Sequence, residues 1–268
     1  GLFRPYSLAN PAAPAFTGTP AGSTADYMHD AATMIIRDAR KDTQCQNATD
    51  YCEVLFDFNE TTVDIWDITV PASAVRLSRT PYNNARYTHS GWPSEDGQFL
   101  FVHDELDERD LGLATTLRVF SLADLTAPVL ATSWTGPTRA IDHNGFVRGN
   151  RYYMSNYSRG LTVLDITNPT QPQPVAHLDT YPFSDNPSFV GAWGAYPYFH
   201  SGTIAVSDIS SGLYLVADKS LDGPAGSLSF TSASFGGTEG SNATIGIQRQ
   251  GGSSGAVSTQ LQLVPATA

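Results

Sequence analysis

Three stretches of the chain, "TVDIWDITVPASAVRLSRT", "TLRVFSLADLTAPVLATSW" and "GLTVLDITNPTQPQPVAHL", follow one template. An alternating apolar strand runs into a D-I-T-N-P or S-L-A-D-L turn, and a second short strand follows. Upstream lie further short strands, "EVLFDFNE", "FLFVHDE" and "RYYMSNY", each preceded by a segment that carries a histidine. The repeating unit is thus four short strands in about 45 to 60 residues, with period-2 alternation and Gly, Pro, Asn or Asp at the breaks. Such a unit cannot bury both of its faces alone, so neighbouring units must stack around a central channel, as the blades of a β-propeller do.

Counted this way, the chain holds the outer two strands of one blade (1 to about 20) and three complete blades (about 26–82, 86–137 and 140–182). "VGAWGAYPYF", "TIAVSDI" and "GLYLVADKS" supply three strands of a fifth. The expected fold is all-β, a partial propeller of about four to five blades over residues 1–220. A linker at 221–226 and a partial β-sandwich module at 227–268 follow, the latter rich in Ser, Gly and Thr. A chain that opens halfway through a blade is expected to be a fragment of a longer precursor, or to be completed by another polypeptide. Its start, "GLFRPYSLANP", has neither the charged head nor the apolar middle of a signal peptide, which fits a mature or excised piece.

Charge and composition narrow the functional classes. At 268 residues and 41% hydrophobic content the chain can bury a large core, and its net charge of -11 repels phosphate backbones and anionic membrane surfaces. Nucleic acid is therefore not an expected partner, and no apolar run is long enough for a membrane span. A nucleotide cofactor is not expected either: there is no P-loop, no dinucleotide fingerprint, no G-x-S-x-G elbow and no H-E-x-x-H. Cys45 and Cys52 sit in the polar loop "TQCQNATDYC". A disulfide between them points to an oxidising space, and two lone thiols make a poor zinc site. The sequons at Asn47, Asn59, Asn156 and Asn242 matter only in a glycosylating source.

Over most of residues 1–218 the chain resembles the bacterial surface proteins called choice-of-anchor B, relatives of the LVIVD-repeat propellers. The resemblance rests on "MHDA", "LSRTPY", "YTHSGW", "DELDE", "GPTRAIDHN", "GNRYYMSNYSRGL" and "GAWGAYPYFHSGTIAVSDISSGLYLV". It implies an extracellular propeller tethered to the cell envelope, with no well-defined activity. The segment from Gly226 onward resembles the start of a Calx-β domain, through Glu239-Gly240, Arg249 and the hairpin at 251–258. That family binds calcium, and Glu239 is the residue here that matches. The missing half of such a sandwich would leave strand edges in need of a partner.

Blade topology places the candidate site. His29, His89 and His143 stand at the starts of innermost strands and should ring the channel mouth, with Asp30 and Asp142 beside them. Imidazoles converging on an axis suit a transition metal, with carboxylates orienting them. The competing reading is that duplication has repeated a histidine that bonds a neighbouring blade. Trp193 stands where a fourth histidine is expected. The loop "HDELDERD" should overlook the same mouth, and Asp104, Glu105, Asp107 and Glu108 suit calcium. They equally suit a solvated acidic loop balanced by Arg109. His103, His177 and His200 are read as surface or core packing, and Trp66, Trp92, Trp134 and Trp193 as packing between blades.

The expected function is a non-catalytic binding or scaffold module at the cell surface, completed by other polypeptide segments and part of a surface assembly. The alternative is a metal-dependent enzyme with its site in the channel.

Overall fold

Large apolar residues on both sides of the inner strands dictate the architecture. The computed structural model describes residues 3–18, 27–221, 227–238, 240–250 and 259. The chain divides into two compact units, Gly1–Val216 and Ala217–Ala268.

The first unit begins with a short antiparallel pair, β1 (Tyr6–Ser7) and β2 (Ala15–Phe16). Three four-stranded antiparallel meanders follow. They are β3 (Asp30–Ile36), β4 (Cys52–Phe58), β5 (Val63–Asp67) and β6 (Val75–Thr80); then β7 (Thr88–Pro93), β8 (Phe99–Asp104), β9 (Thr116–Ser121) and β10 (Val129–Thr135); then β11 (Asn144–Arg148), β12 (Arg151–Ser155), β13 (Leu161–Asp165) and β14 (Gln173–Leu178). A three-stranded sheet closes the unit, with β15 (Ala192–Tyr196), β16 (Thr203–Asp208) and β17 (Gly212–Ala217). The first strand of each sheet lies beside the first strand of the next: β3 beside β7, β7 beside β11 and β11 beside β15. This is the stacking of propeller blades with their innermost strands toward a common channel.

The period of two sends successive residues of one strand into different cores. Leu100 and Val102 of β8 join Val54, Phe56, Phe58 and Ile65 between the first and second blades. Phe101, between them in sequence, points the other way and packs with Val147, Tyr152 and Met154 of the third blade. Tyr153 of β12 turns outward again to meet Ala195, Ile204 and Val206 of the fourth. Strands buried on both faces therefore read as unbroken apolar runs. Trp66 lies in the outermost of these cores, where Phe3 meets its ring edge-on at 5.6 Å.

Loops between second and third strands return to the channel side. In the first and third blades they are tight turns led by residues in the left-handed region, Glu60 (φ 73°) and Tyr157 (φ 36°). Each turn forms a β-bridge to the next blade, Glu60 with Thr88 and Tyr157 with Ala192. Gly191 (φ +85°) allows the second bridge, because a Cβ there would lie 2.2 Å from the Tyr157 carbonyl oxygen. The second blade instead inserts a short helix, α1 (Asp107–Leu111), which ends at Gly112 with φ 75°.

On the opposite face, the loop between β3 and β4 is closed by the Cys45–Cys52 disulfide. Arg40 of this loop donates to the carbonyls of Gly97 (2.9 Å) and Leu122 (2.7 Å), and Gln44 exchanges hydrogen bonds with Ala123 and Leu125. The loop thereby clasps the second blade.

In the second unit, β18 (Ser227–Phe230) pairs antiparallel with β19 (Ile247–Gln250), setting Leu228 opposite Arg249. Glu239 and the hairpin at 251–258 lie outside the described residues. Among the described residues no helix is long and apolar enough to cross a membrane.

Candidate functional site at the channel mouth

The start of β7 and the segment leading into β11 bring His89 and His143 together at the channel, their ring centroids 4.2 Å apart. His89 places Nδ1 3.1 Å from the His143 carbonyl oxygen, and His143 places Nδ1 2.6 Å from that of Trp193. A carbonyl only accepts, which assigns the proton of each ring to Nδ1; the Asn144 amide nitrogen, which shares the Trp193 carbonyl at 3.0 Å, also lies 2.8 Å from His143 Nδ1. Both Nε2 atoms face one carboxylate: His143 lies 3.4 Å from Glu105 Oε1 and His89 3.8 Å from Oε2. Tyr157 donates its hydroxyl to Glu105 Oε1 at 2.7 Å.

Burial controls the charge state of these groups. It pushes His89 down to about 2, helped by the neighbouring His143 ring, and pushes His143 down to about 4. The same desolvation raises the Glu105 carboxyl above its usual range. Two neutral imidazoles and a carboxyl group thus converge with their acceptor atoms toward one another.

The other residues expected at the rim take different places. His29 is exposed and lies beside the pair, its ring 4.4 Å from His89 and its Nδ1 3.0 Å from the Tyr87 hydroxyl. Asp30 is exposed and accepts the backbone N–H of Ala31 at 2.7 Å. Asp142 points away from the rim. Adjacent residues of extended chain face opposite sides, so while His143 turns to the channel Asp142 is buried against His103.

The four loop acids do not form one ligand set. Asp104 accepts the backbone N–H groups of Arg86 and Tyr87, each at 2.8 Å, and the Tyr82 hydroxyl at 2.9 Å, which fixes the entry to β7. Glu105 joins the histidines. Asp107 pairs with Arg118 at 2.5 Å, and Glu108 accepts from Thr116 N at 3.2 Å. Both are fully buried. Burial and the Asp142 charge drive Asp107 up to about 7 and Glu108 far above the carboxylate range. Arg109 pairs with Asp110, and its charge also acts on Glu105.

Two features were not anticipated from the sequence. His103 is fully buried between the Asp142 carboxylate and the Tyr152 hydroxyl, which lies 2.7 Å from its Nε2. It is a polar link between blades, and its isolation within the apolar run "FLFVHDE" was the available signal. Trp193, expected with the other three tryptophans to pack between blades, is instead 50% exposed, with its ring 5.2 Å from His143 of the neighbouring blade.

No family model matches the chain, and no curated protein matches it. Among solved structures it is similar to the Swd1 β-propeller domain of Myceliophteria thermophila, with 14% identity and TM-score 0.45 over 72% of this chain and 53% of that one. It is also similar to the periplasmic gluconolactonase of Pseudomonas aeruginosa, with 13% identity and TM-score 0.46 over 78% and 76% of the two chains. A Bacteroides thetaiotaomicron protein of unknown function gives 12% identity and TM-score 0.38 over 59% and 39%. The chain spans about half the length of the first of these.

Proposed function

We propose that the chain is the propeller portion of an extracellular, surface-associated binding module that holds a divalent transition metal at its channel mouth on His89, His143 and Glu105. The observation that carries this reading is the convergence of the two Nε2 atoms on the Glu105 carboxylate. Ligand atoms on a tetrahedral zinc with bonds of roughly 2.0–2.2 Å lie about 3.4 Å apart, so only small side-chain movements separate this arrangement from coordination. Hydrogen bonds from Nδ1 to carbonyl oxygens are the usual means of orienting ligating histidines.

A disulfide fits an oxidising compartment. The choice-of-anchor B and LVIVD resemblance, and that of the second unit to a partial Calx-β domain, belong to the same reading. So do further polypeptide segments that would add a fourth strand to the sheet that has three among the described residues.

A metal-dependent enzyme is the second reading. It is favoured by the ligand count, since three protein ligands leave a position open for water or substrate.

Elemental analysis of purified chain, after exposure to zinc, manganese or iron(II) and removal of excess, tests the site. One transition metal per chain, lost in the His89→Ala/His143→Ala double variant, is expected. A chain that retains no metal overturns the reading.

A further inference from the structure

Behind the rim lies a second convergence of acceptors that the proposed metal does not use. Asp107 and Glu108 open helix α1, and Asp142 immediately precedes the rim histidine; all three are fully buried. Each carboxylate has one oxygen engaged: Asp107 Oδ2 by Arg118, Asp142 Oδ2 by His103 and Glu108 Oε1 by the Thr116 N–H. The other three, Asp107 Oδ1, Glu108 Oε2 and Asp142 Oδ1, are buried without a hydrogen-bond partner. Three such orphaned oxygens on clustered buried carboxylates are costly unless something positive lies among them.

We infer that Asp107, Glu108 and Asp142 form a buried site for a hard divalent cation of the calcium class, locked between the second and third blades. Carboxylate oxygens from the three lie within 4.8 Å of one another. Calcium–oxygen bonds of roughly 2.3–2.6 Å put opposed ligands about 4.6–5.2 Å apart, so an ion fits between them with little movement. Charge points the same way. When all three carboxylates are ionised they face one guanidinium, Arg118, before His103 is counted, and a doubly charged ion offsets the remainder. The ligand set thus differs from the one the sequence suggests: Asp107 and Glu108 remain, Asp142 joins them, and Asp104 and Glu105 serve elsewhere.

The competing occupant is a proton shared between Glu108 and a neighbouring carboxylate. The two are separable because a shared proton needs no metal, and a glutamine at position 108 can still donate a hydrogen bond. The full chain is refolded in parallel in EDTA and in calcium chloride, then assayed for calcium content and melting temperature. Expected are one calcium per chain and a melting temperature roughly 5–10 °C higher in calcium. Glu108→Gln should bind no calcium and melt identically in both. His89→Ala/His143→Ala should keep the calcium response, which separates this site from the rim. Native chain that takes up no calcium and melts identically in both buffers overturns the inference, and that readout stands even if Glu108→Gln fails to fold.

Discussion

Two kinds of loop occupy one position in successive blades. In the first and third blades the turn between second and third strands bridges to the next blade through Glu60 or Tyr157. In the second blade the same position carries a helix that delivers Glu105 to the histidines and Asp107 and Glu108 to the interior. The repeat keeps the blades stitched with backbone hydrogen bonds, and the single exception replaces stitching with charge. Chemistry is concentrated where the repeat is broken.

The comparison can be broken most severely at Arg118. Arg118→Met leaves the Asp107 carboxylate buried without its cation, and a loss of about 3–5 kcal/mol is expected in urea unfolding. The backbone stitch should be nearly as sensitive. In Gly191→Ala the new methyl meets the Tyr157 carbonyl in a left-handed backbone, so a loss of about 2–4 kcal/mol is expected by the same measurement. A smaller loss in this variant than in one at an exposed turn, such as Gly149→Ala, would show that the bridge carries no weight.

Acid separates the rim histidines from the helix carboxylates by sign. His89 and His143 titrate below the ordinary value of 6.5 in the folded chain, at about 2 and about 4. The unfolded chain takes up their protons first, so their contribution is complete above pH 6.5 and is lost as pH falls toward 4. Asp107, raised to about 7, acts oppositely: its unfavourable contribution eases as pH falls from 7 toward 3.8. The His89→Gln/His143→Gln variant should therefore lose less stability than the native chain between pH 6.5 and 4. An unchanged pH profile would show that the rim histidines are not held neutral. The mildest change is Glu60→Gly, which relieves a left-handed residue and should shift stability by less than about 1 kcal/mol, toward greater stability.

Much of the blade plan was legible because alternation and turn chemistry are local. The D-I-T-N-P turns and the histidines at strand starts are visible in single segments. The partition of the site was not, because it depends on which side of an extended chain each residue faces once blades stack. Asp142 reads as a companion of His143 but faces away from it, and "DELDE" reads as one acidic loop but is divided three ways. His103 was hidden because its partners, Asp142 and Tyr152, come from the next blade. The clasp made by Arg40 spans 57 and 82 residues and leaves no trace in local pattern.

That clasp gives the Cys45–Cys52 crosslink a reach beyond its own small ring. The disulfide holds the loop from which Arg40 and Gln44 grip the second blade, on the face away from the histidines. Reduction there would leave the loop held only by its hydrogen bonds, among them those of Gln46 and Asn47 to Asp67, and so loosen the grip between two blades. The face away from the histidines is thus the one through which the redox state of the surroundings would reach the blades.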